Sequence, residues 1–417
     1  MAGEPAKGKL IIEGKTKCVF EVVDDPHHVL VENKDAITAF DGAKGHDMEG
    51  KAAISNATNA KVFQFLNESG IATSWTRGCG ATTYVSRRCH MVPLEWVTRR
   101  VATGSFLKRN QGVNEGYRFT PPKLETFFKD DANHDPQWSM EQILESKLNI
   151  NGTVIGQYHY DIMARTTLTV FEVLERAWGS IDCALVDMKI EFGIDAETGE
   201  LLVSDTIDSD SWRLWPSGDK RLMKDKQVYR NMETVTEEGL NQVKRNFQWV
   251  ADKLDYFIPK PKGLVVVLMG SPSDMPHCEK IQSHCNKLGV PCELRITSAH
   301  KGTQETLSIV AAFQDRLLKN IFIKIIKSVN RFCPDLCNLD SYKAMRPPNY
   351  RFSRTGLTRT NSMGAGTVIY PEAAAQSAST ILGLHDHVIW SKIRAKQLNL
   401  FVGLKKADKK ITQDLKK

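Results

Sequence analysis

No apolar run in this sequence is long enough to cross a bilayer. The longest, Leu264 to Met269, falls far short of the roughly 20 residues that a membrane helix needs, so no membrane association is expected. The opening Met1-Ala-Gly-Glu-Pro5 has no apolar core of the secretory kind. The nine cysteines are odd in number and include no CxxC pair, which fits free thiols in a reducing cytoplasm. A Walker A loop is also missing: five residues, not four, separate Gly8 from Gly14, and a strand pattern follows where a helix is required. Nor is positive charge spread along the chain. The net charge is +7, but residues 314–362 alone hold ten lysines and arginines against three acids. The rest is electrically balanced, which argues against the distributed basic surface of a nucleic-acid-binding protein.

What is present is a globular composition, 41% hydrophobic and 25% charged over 417 residues, long enough for two domains. The most informative stretch is Asp187-Met-Lys-Ile-Glu-Phe-Gly193, with Asp205-Thr-Ile-Asp-Ser-Asp-Ser-Trp-Arg-Leu-Trp215 just after it. Asp187, Lys189 and Glu191 alternate with Val186, Met188, Ile190 and Phe192, the period of a strand with one apolar and one charged face. Turn formers from Asp195 to Gly199 predict a hairpin that returns along Leu201 to Asp205. If Glu191 falls opposite or diagonal to Asp205, the two carboxylates lie about 5 to 8 Å apart. That spacing suits a hard divalent cation whose other ligands are phosphate oxygens and water. A slip of one residue turns Asp205 to the wrong face. Alone, the charged row reads as a solvated strand face. The acids and hydroxyls beside Trp212-Arg213-Leu214-Trp215 shift the reading to a metal–phosphate site.

In chain order, Lys9–Ile12 and Cys18–Val22 read as strands around Glu13-Gly-Lys-Thr-Lys17, a turn that can lie over a triphosphate as a flap. Lys34 to Lys44 reads as a polar loop and Ala52 to Asn67 as a helix. Arg99-Arg-Val-Ala-Thr-Gly-Ser105 suits anion capture, with Arg99 as a bidentate donor and Ser105 as a hydroxyl donor. A structural arginine pair is the plainer alternative. Phe127 to Pro136 is a loop too acidic to be core, a lid or a surface loop. Gln157 to Trp178 is a helix candidate, and Thr234-x-x-Glu237 a capping box for the next. Its stripe Leu240, Val243, Phe247, Val250, Leu254 and Phe257 is core or a partner face.

Five segments, Glu13–Lys17, Arg99–Ser105, Phe127–Asn133, Val186–Gly193 and Asp208–Gly218, occur in this order. Together they resemble the phosphoribosylaminoimidazole-succinocarboxamide synthase (SAICAR synthetase) family, over about residues 8 to 258. The resemblance implies an α+β fold with a kinase-like sheet lobe and an ATP-grasp-like lobe. It implies ATP held by Gly14, Lys15 and Lys17, with Mg2+ on Glu191 and Asp205. ATP phosphorylates the carboxylate of carboxyaminoimidazole ribonucleotide, and the amine of L-aspartate attacks the acyl phosphate. Arg99, Ser105, Ser211 and Arg213 match positions that hold the ribonucleotide, with Lys226 and Arg230 near by. Asp187 and Lys189 match positions at its imidazole and carboxylate, and are placed with Lys15 in the catalytic set.

Pro259–Lys262 reads as a stiff linker, which sets a first domain at 1–258, the linker at 259–263 and a second domain at 264–417. Leu264–Met269 reads as a strand buried on both faces of a parallel sheet. A helix through Cys278, Ile281, Cys285 and Leu288 and a strand from Cys292 to Thr297 follow. This is the pattern of an α/β doubly wound sheet, whose ligands sit at the carboxyl ends of strands. Gly270-Ser-Pro-Ser-Asp274 and Ser298-Ala-His-Lys301 resemble the aminoimidazole ribonucleotide (AIR) carboxylase family, which animals fuse to the synthetase in this order. By that likeness Ser271, Ser273 and Asp274 bind the ribotide, His300 and Lys301 handle substrate and proton, CO2 is the co-substrate and the assembly is an octamer. Residues 314–362 depart from the family's glycine-rich segment, and likeness resumes near Met363. A shifted reading frame is the preferred explanation, before a degenerate carboxylase or a basic nucleic-acid arm.

Overall fold

The computed structural model describes residues 3–39, 42–259, 263–298, 301–314, 319–325, 342–345, 366–368 and 370–414. Two compact units emerge, Met1–Ile258 with Ala395–Lys417, and Pro259–Arg394.

In the first unit, β1 (Lys7–Glu13), β2 (Lys17–Val22) and β3 (Asp25–Asn33) form an antiparallel meander. The stretch expected to be a polar loop is instead a small hairpin, β4 (Ala36–Ala39) with β5 (Lys44–Asp47). Its buried Ile37 and Ala39 join a core cluster that also holds Tyr229 and Phe247, so apolar burial overrides the loop-like composition. Helix α1 (Lys51–Ser69) follows, and β6 (Trp75–Gly78) and β7 (Thr83–Arg87) complete the five-stranded sheet.

The second sheet holds the site. It is built from β8 (Cys89–Met91), β9 (Leu94–Val101), β10 (Arg118–Phe128), β13 (Cys183–Asp195), β14 (Leu201–Ser204) and β15 (Trp212–Pro216). Between β9 and β10 lies the short helix α2 (Ser105–Arg109). Between β10 and β13 lie α3 (Met140–Glu145), the short pair β11 (Asn149–Ile150) and β12 (Thr153–Val154), and α4 (Gln157–Gly179). Strand β13 runs through the middle, paired with β9, β15, β14 and β8. Its Val186, Met188, Ile190 and Phe192 are buried as the alternation predicts, but so are Asp187 and Glu191 on the other face. The charged face is therefore not a solvated one. Trp212 lies against Trp178 of α4, edge to face with centroids 5.7 Å apart, so the tryptophans plug the core beneath the polar segment.

After α5 (Gln227–Arg230), helix α6 (Glu237–Lys253) buries Val243, Phe247 and Val250, and its stripe continues into buried Leu254 and Phe257. Its N-cap is Thr236, which accepts a hydrogen bond from Gly239 N at 3.1 Å, two residues later than the capping box expected at Thr234. The two threonines offer the same cap chemistry, and the helix starts at the later one.

In the second unit β16 (Gly263–Met269) is buried along its whole length. It is parallel to β17 (Cys292–Ile296) on one side and β18 (Lys319–Ile325) on the other, followed by β19 (Tyr342–Met345) and β20 (Gly366–Val368). Val265, Val267 and Met269 pack on α7 (Met275–Lys287) and α9 (Pro371–Gly383), whereas Leu264, Val266 and Leu268 pack on α8 (Thr303–Gln314). The basic segment thus does supply a strand, 319–325, inside the sheet. Most of 314–362 lies outside the described residues. Helix α10 (His387–Asp414) ends the described chain. Its part from Ala395 groups with the first unit, whereas the sequence reading gave it to the second domain. The contacts explain this: Asn399 donates to Gly70 O at 2.8 Å, and Lys405 and Lys406 pair with Asp161 and Glu200 at 2.6 and 2.5 Å.

Candidate active site

Register on β9, β13 and β15 brings three charged residues into one row. Asp187 stands opposite Arg99 on one neighbour and Arg213 on the other. Asp187 Oδ2 accepts from Arg99 Nη1 at 2.7 Å and from Arg213 Nη1 at 2.5 Å. Arg99 is buried and also pairs through Nε with Glu125, so its planar fork is engaged by two carboxylates. Arg213 is more open. Its Nη2 lies 2.6 Å from where a Cβ on Gly104 would sit, and Gly104 has φ +61. Any side chain at 104 would be strained and would push the guanidinium away. Ser105 opens α2 beside that glycine. Arg230 is half-buried and held below its usual range by burial and then by the charge of Arg213. Two guanidiniums that repel each other would each gain from an anion placed between them.

The two carboxylates expected to hold a metal, Glu191 and Asp205, differ from the expected register. Glu191 stands opposite Ser204, and Asp205 lies one residue beyond the end of β14 with φ +63. The ladder ends there because the backbone turns into the left-handed region, a conformation costly for a non-glycine residue. Asp205 is then held by Lys17. Glu191 has both oxygens engaged, Oε1 by Lys189 at 2.6 Å and Oε2 by Lys129 at 2.9 Å. Burial alone would raise its carboxyl, but Lys189 and then Lys129 bring it down to about 2. Lys189 also donates to Glu95 at 3.0 Å. Burial would depress Lys189, yet Glu191 and Glu95 hold it above the usual lysine range.

Gly14 closes the β1–β2 turn through its N–H to Lys17 O at 2.8 Å. Lys15 projects from that turn to Asp131 at 3.0 Å, on the acidic loop that follows β10. Ser211 serves the turn after β14: its Oγ donates to Thr206 O at 3.1 Å and accepts from Asp208 N at 3.2 Å. Lys226 reaches Asp210 at 3.4 Å, and buried Lys51 reaches the same carboxylate at 3.3 Å. Burial and the neighbouring Asp210 raise the Asp208 carboxyl, while Lys51 and Lys226 outweigh burial and lower that of Asp210.

Glu95, Glu125, Lys129, Lys51 and Asp210 were not assigned from sequence. Lys129 lies inside the Phe-Phe-Lys-Asp-Asp segment, and Glu95 shares the two-residue period of Arg99 on β9, so both had a local signal. Lys51 and Asp210 meet only through the tertiary fold.

In the second unit Ser271 Oγ accepts from Ser273 N at 3.3 Å, ahead of buried Asp274 and α7. Lys301 lies in the turn after β17, its N–H bonded to Ser298 O at 3.0 Å. Both loops leave the carboxyl ends of adjacent parallel strands. His300 lies outside the described residues.

Residues 10–246 match the SAICAR synthetase family and residues 264–325 the AIR carboxylase family. A bifunctional phosphoribosylaminoimidazole carboxylase/phosphoribosylaminoimidazole succinocarboxamide synthetase of Drosophila melanogaster is 55% identical over 410 residues, 97% of this chain and 95% of that protein. The Homo sapiens protein of the same name is 49% identical over 413 residues, covering 97% of each. A crystal structure of phosphoribosylaminoimidazole-succinocarboxamide synthase from Ehrlichia chaffeensis superposes with TM-score 0.52 at 29% identity, over 60% of this chain and 100% of that one. A SAICAR synthetase in complex with ADP gives TM-score 0.50 at 28% identity, over 58% and 98%. With matches that span both units and nearly the full length of its relatives, the chain belongs to the family of bifunctional phosphoribosylaminoimidazole carboxylase/phosphoribosylaminoimidazole succinocarboxamide synthetases.

Proposed function

We infer that this chain works in purine nucleotide biosynthesis as an ATP-dependent ligase with a fused carboxylase domain. Its first unit joins L-aspartate to carboxyaminoimidazole ribonucleotide to give SAICAR. The observation that carries this reading is the meeting of Lys17, Lys129 and Lys189 with Glu191 and Asp205 beside the Arg99–Asp187–Arg213 row. One subsite there is built for a triphosphate and its metal, the other for a second anion.

Gly14, Lys15 and Lys17 are the ATP-binding residues in this account. Glu191, ionised and buried, and Asp205, at the end of β14, are two hard carboxylates of the type that Mg2+ accepts while keeping water and phosphate ligands. Among the described residues no group of three or more metal-ligating side chains forms a closed cage, and a Mg2+ held largely by phosphates needs none. When bound, the ion neutralises the charge that develops on the transferred phosphoryl group. Arg213, Arg230, Ser105, Ser211 and Lys226 hold the ribonucleotide. Arg99 orients Asp187 for the imidazole, and Lys189 neutralises the substrate carboxylate. A carboxylate oxygen attacks the γ-phosphorus and ADP leaves. The aspartate amine then attacks the acyl phosphate carbonyl, inorganic phosphate leaves and the nitrogen loses a proton. Positioning and charge neutralisation supply most of the rate.

The first unit is a kinase-like lobe and an ATP-grasp-like lobe at 1–258, followed by a linker at 259–263 and a doubly wound domain at 264–394, with 395–417 grouping with the first unit. Helices on both faces of the parallel sheet support the doubly wound reading. Ser271, Ser273, Asp274, His300 and Lys301 match the residues that serve AIR and CO2 in the carboxylase family, but residues 314–362 lack that family's glycine-rich segment, which would complete the site. A cytoplasmic homo-octamer without nucleic-acid partners completes the proposal; no described helix is long and apolar enough to cross a membrane. Incubating the protein with ATP, aspartate and carboxyaminoimidazole ribonucleotide tests the ligase. SAICAR and ADP should appear in equal amounts, and no SAICAR should form when aspartate or ribonucleotide is omitted.

A further inference from the structure

Two ammonium groups share the buried carboxylate of Glu191, and they are not equivalent. Lys189 sits within β13 and is gripped by two carboxylates, Glu191 Oε1 at 2.6 Å and Glu95 Oε1 at 3.0 Å. Lys129 stands at the mouth of the acidic loop, just past the end of β10, with its side chain 45% exposed and paired with Glu191 at 2.9 Å. The backbone beneath it is fixed. Lys129 N–H donates to Pro93 O at 3.0 Å, and Asp135 closes the loop through Asp130 N at 2.7 Å. The same loop carries Asp131, which touches Lys15 of the phosphate turn at 3.0 Å. The charge of Lys129 also acts on Lys17, which burial, with the charges of Lys189 and Lys129, lowers to about 8. A half-exposed side chain on a fixed base thus stands on Glu191 in the same loop that reaches Lys15 of the turn through Asp131.

We propose that Lys129 is a positioning residue of the ligation site, the exchangeable counter-ion of Glu191 that yields Oε2 to the divalent cation and lends its charge to the nucleotide phosphates. The proposal rests on the metal–ATP reading above and extends it to a residue with opposite effects on the two ligands. While Lys129 holds Oε2 it competes with a cation for the same lone pairs. When released, it stays within reach of the phosphates beside Lys15 and Lys17, where a further positive charge favours the anion. Lys189 cannot do this, since moving it would leave both Glu95 and Glu191 short of a partner.

The test is Lys129→Met in the full chain, with Lys129→Arg as the charge-retaining control. Calorimetric titration of Mn2+ into nucleotide-free protein should show about five- to tenfold tighter binding in Lys129→Met, the loss of one competing charged hydrogen bond, about 1–1.4 kcal/mol. Titration of ATP in the presence of a chelator should show weaker binding by a similar factor, and Lys129→Arg should stay near the wild type in both. A role in loop structure alone would weaken both ligands or neither, and either result overturns the proposal. If the methionine variant misfolds, Lys129→Gln, which keeps the stem, is held to the same two criteria. Failure of the wild type to bind Mn2+, with or without ATP, overturns the metal reading itself and the proposal with it.

Discussion

Replacing Arg213 by lysine separates the two halves of the proposed site. Arg213 donates Nη1 to Asp187 at 2.5 Å and turns Nη2 toward Gly104, with Gln227 Oε1 at 3.4 Å. A lysine keeps the charge but offers a single nitrogen, so it can pair with Asp187 or reach a substrate phosphate, not both. A hydrogen bond to a charged group is worth about 1.5–3 kcal/mol, and about 1.4 kcal/mol is tenfold in affinity. KM for carboxyaminoimidazole ribonucleotide should therefore rise about 10- to 100-fold, while KM for ATP changes less than about twofold. Gly104→Ala should act in the same direction by displacing the guanidinium, since its Cβ would lie 2.6 Å from Nη2. Steady-state kinetics coupled to ADP release, with each substrate varied in turn, gives both constants. A rise in the ATP constant with the ribonucleotide constant unmoved would refute the assignment and place Arg213 in the nucleotide subsite.

Asp225, buried and bonded to Leu214 N and Gln227 N at 2.9 and 2.8 Å, is raised from 3.8 to about 6 by burial, which those bonds only partly offset. The folded state keeps this proton longer than the unfolded one, so the group's contribution to stability falls as pH rises from about 4 to 6 and stays constant above. Urea unfolding should show wild type losing up to about 3 kcal/mol relative to Asp225→Asn over that window; parallel curves would contradict it. For the second unit, the departure of residues 314–362 from the family pattern predicts carboxylation of AIR no faster than in a His300→Ala control, and a rate well above that control would show that the segment completes a working site.

Much of this architecture was legible because strand periodicity and burial agree. β13, β16, α4 and α6 lie where their apolar patterns put them. The errors have physical causes. Residues 34–44 look like a loop by composition, but Ile37 and Ala39 find a core to enter. Glu191 and Asp205 were placed by assuming an unbroken ladder, and the left-handed turn at Asp205 breaks it. Aspartate adopts positive φ more readily than most residues, but that preference does not single out position 205 in the sequence. Lys51 with Asp210, Arg99 with Glu125, and Lys405 with Asp161 join residues far apart in the chain, and no local period could pair them.

Glu191 and Asp205 are proposed to place a divalent cation against the phosphates of ATP. The most direct measurement is SAICAR formation by Asp205→Asn across a Mg2+ titration, with unfolding followed in parallel. The substitution removes one of two anionic ligands and keeps size and shape. The melting transition should stay within a few degrees of the wild type, and the rate at ordinary Mg2+ should fall by about 100-fold or more and recover partly at high Mg2+. Near-normal turnover with unaltered Mg2+ dependence would contradict it.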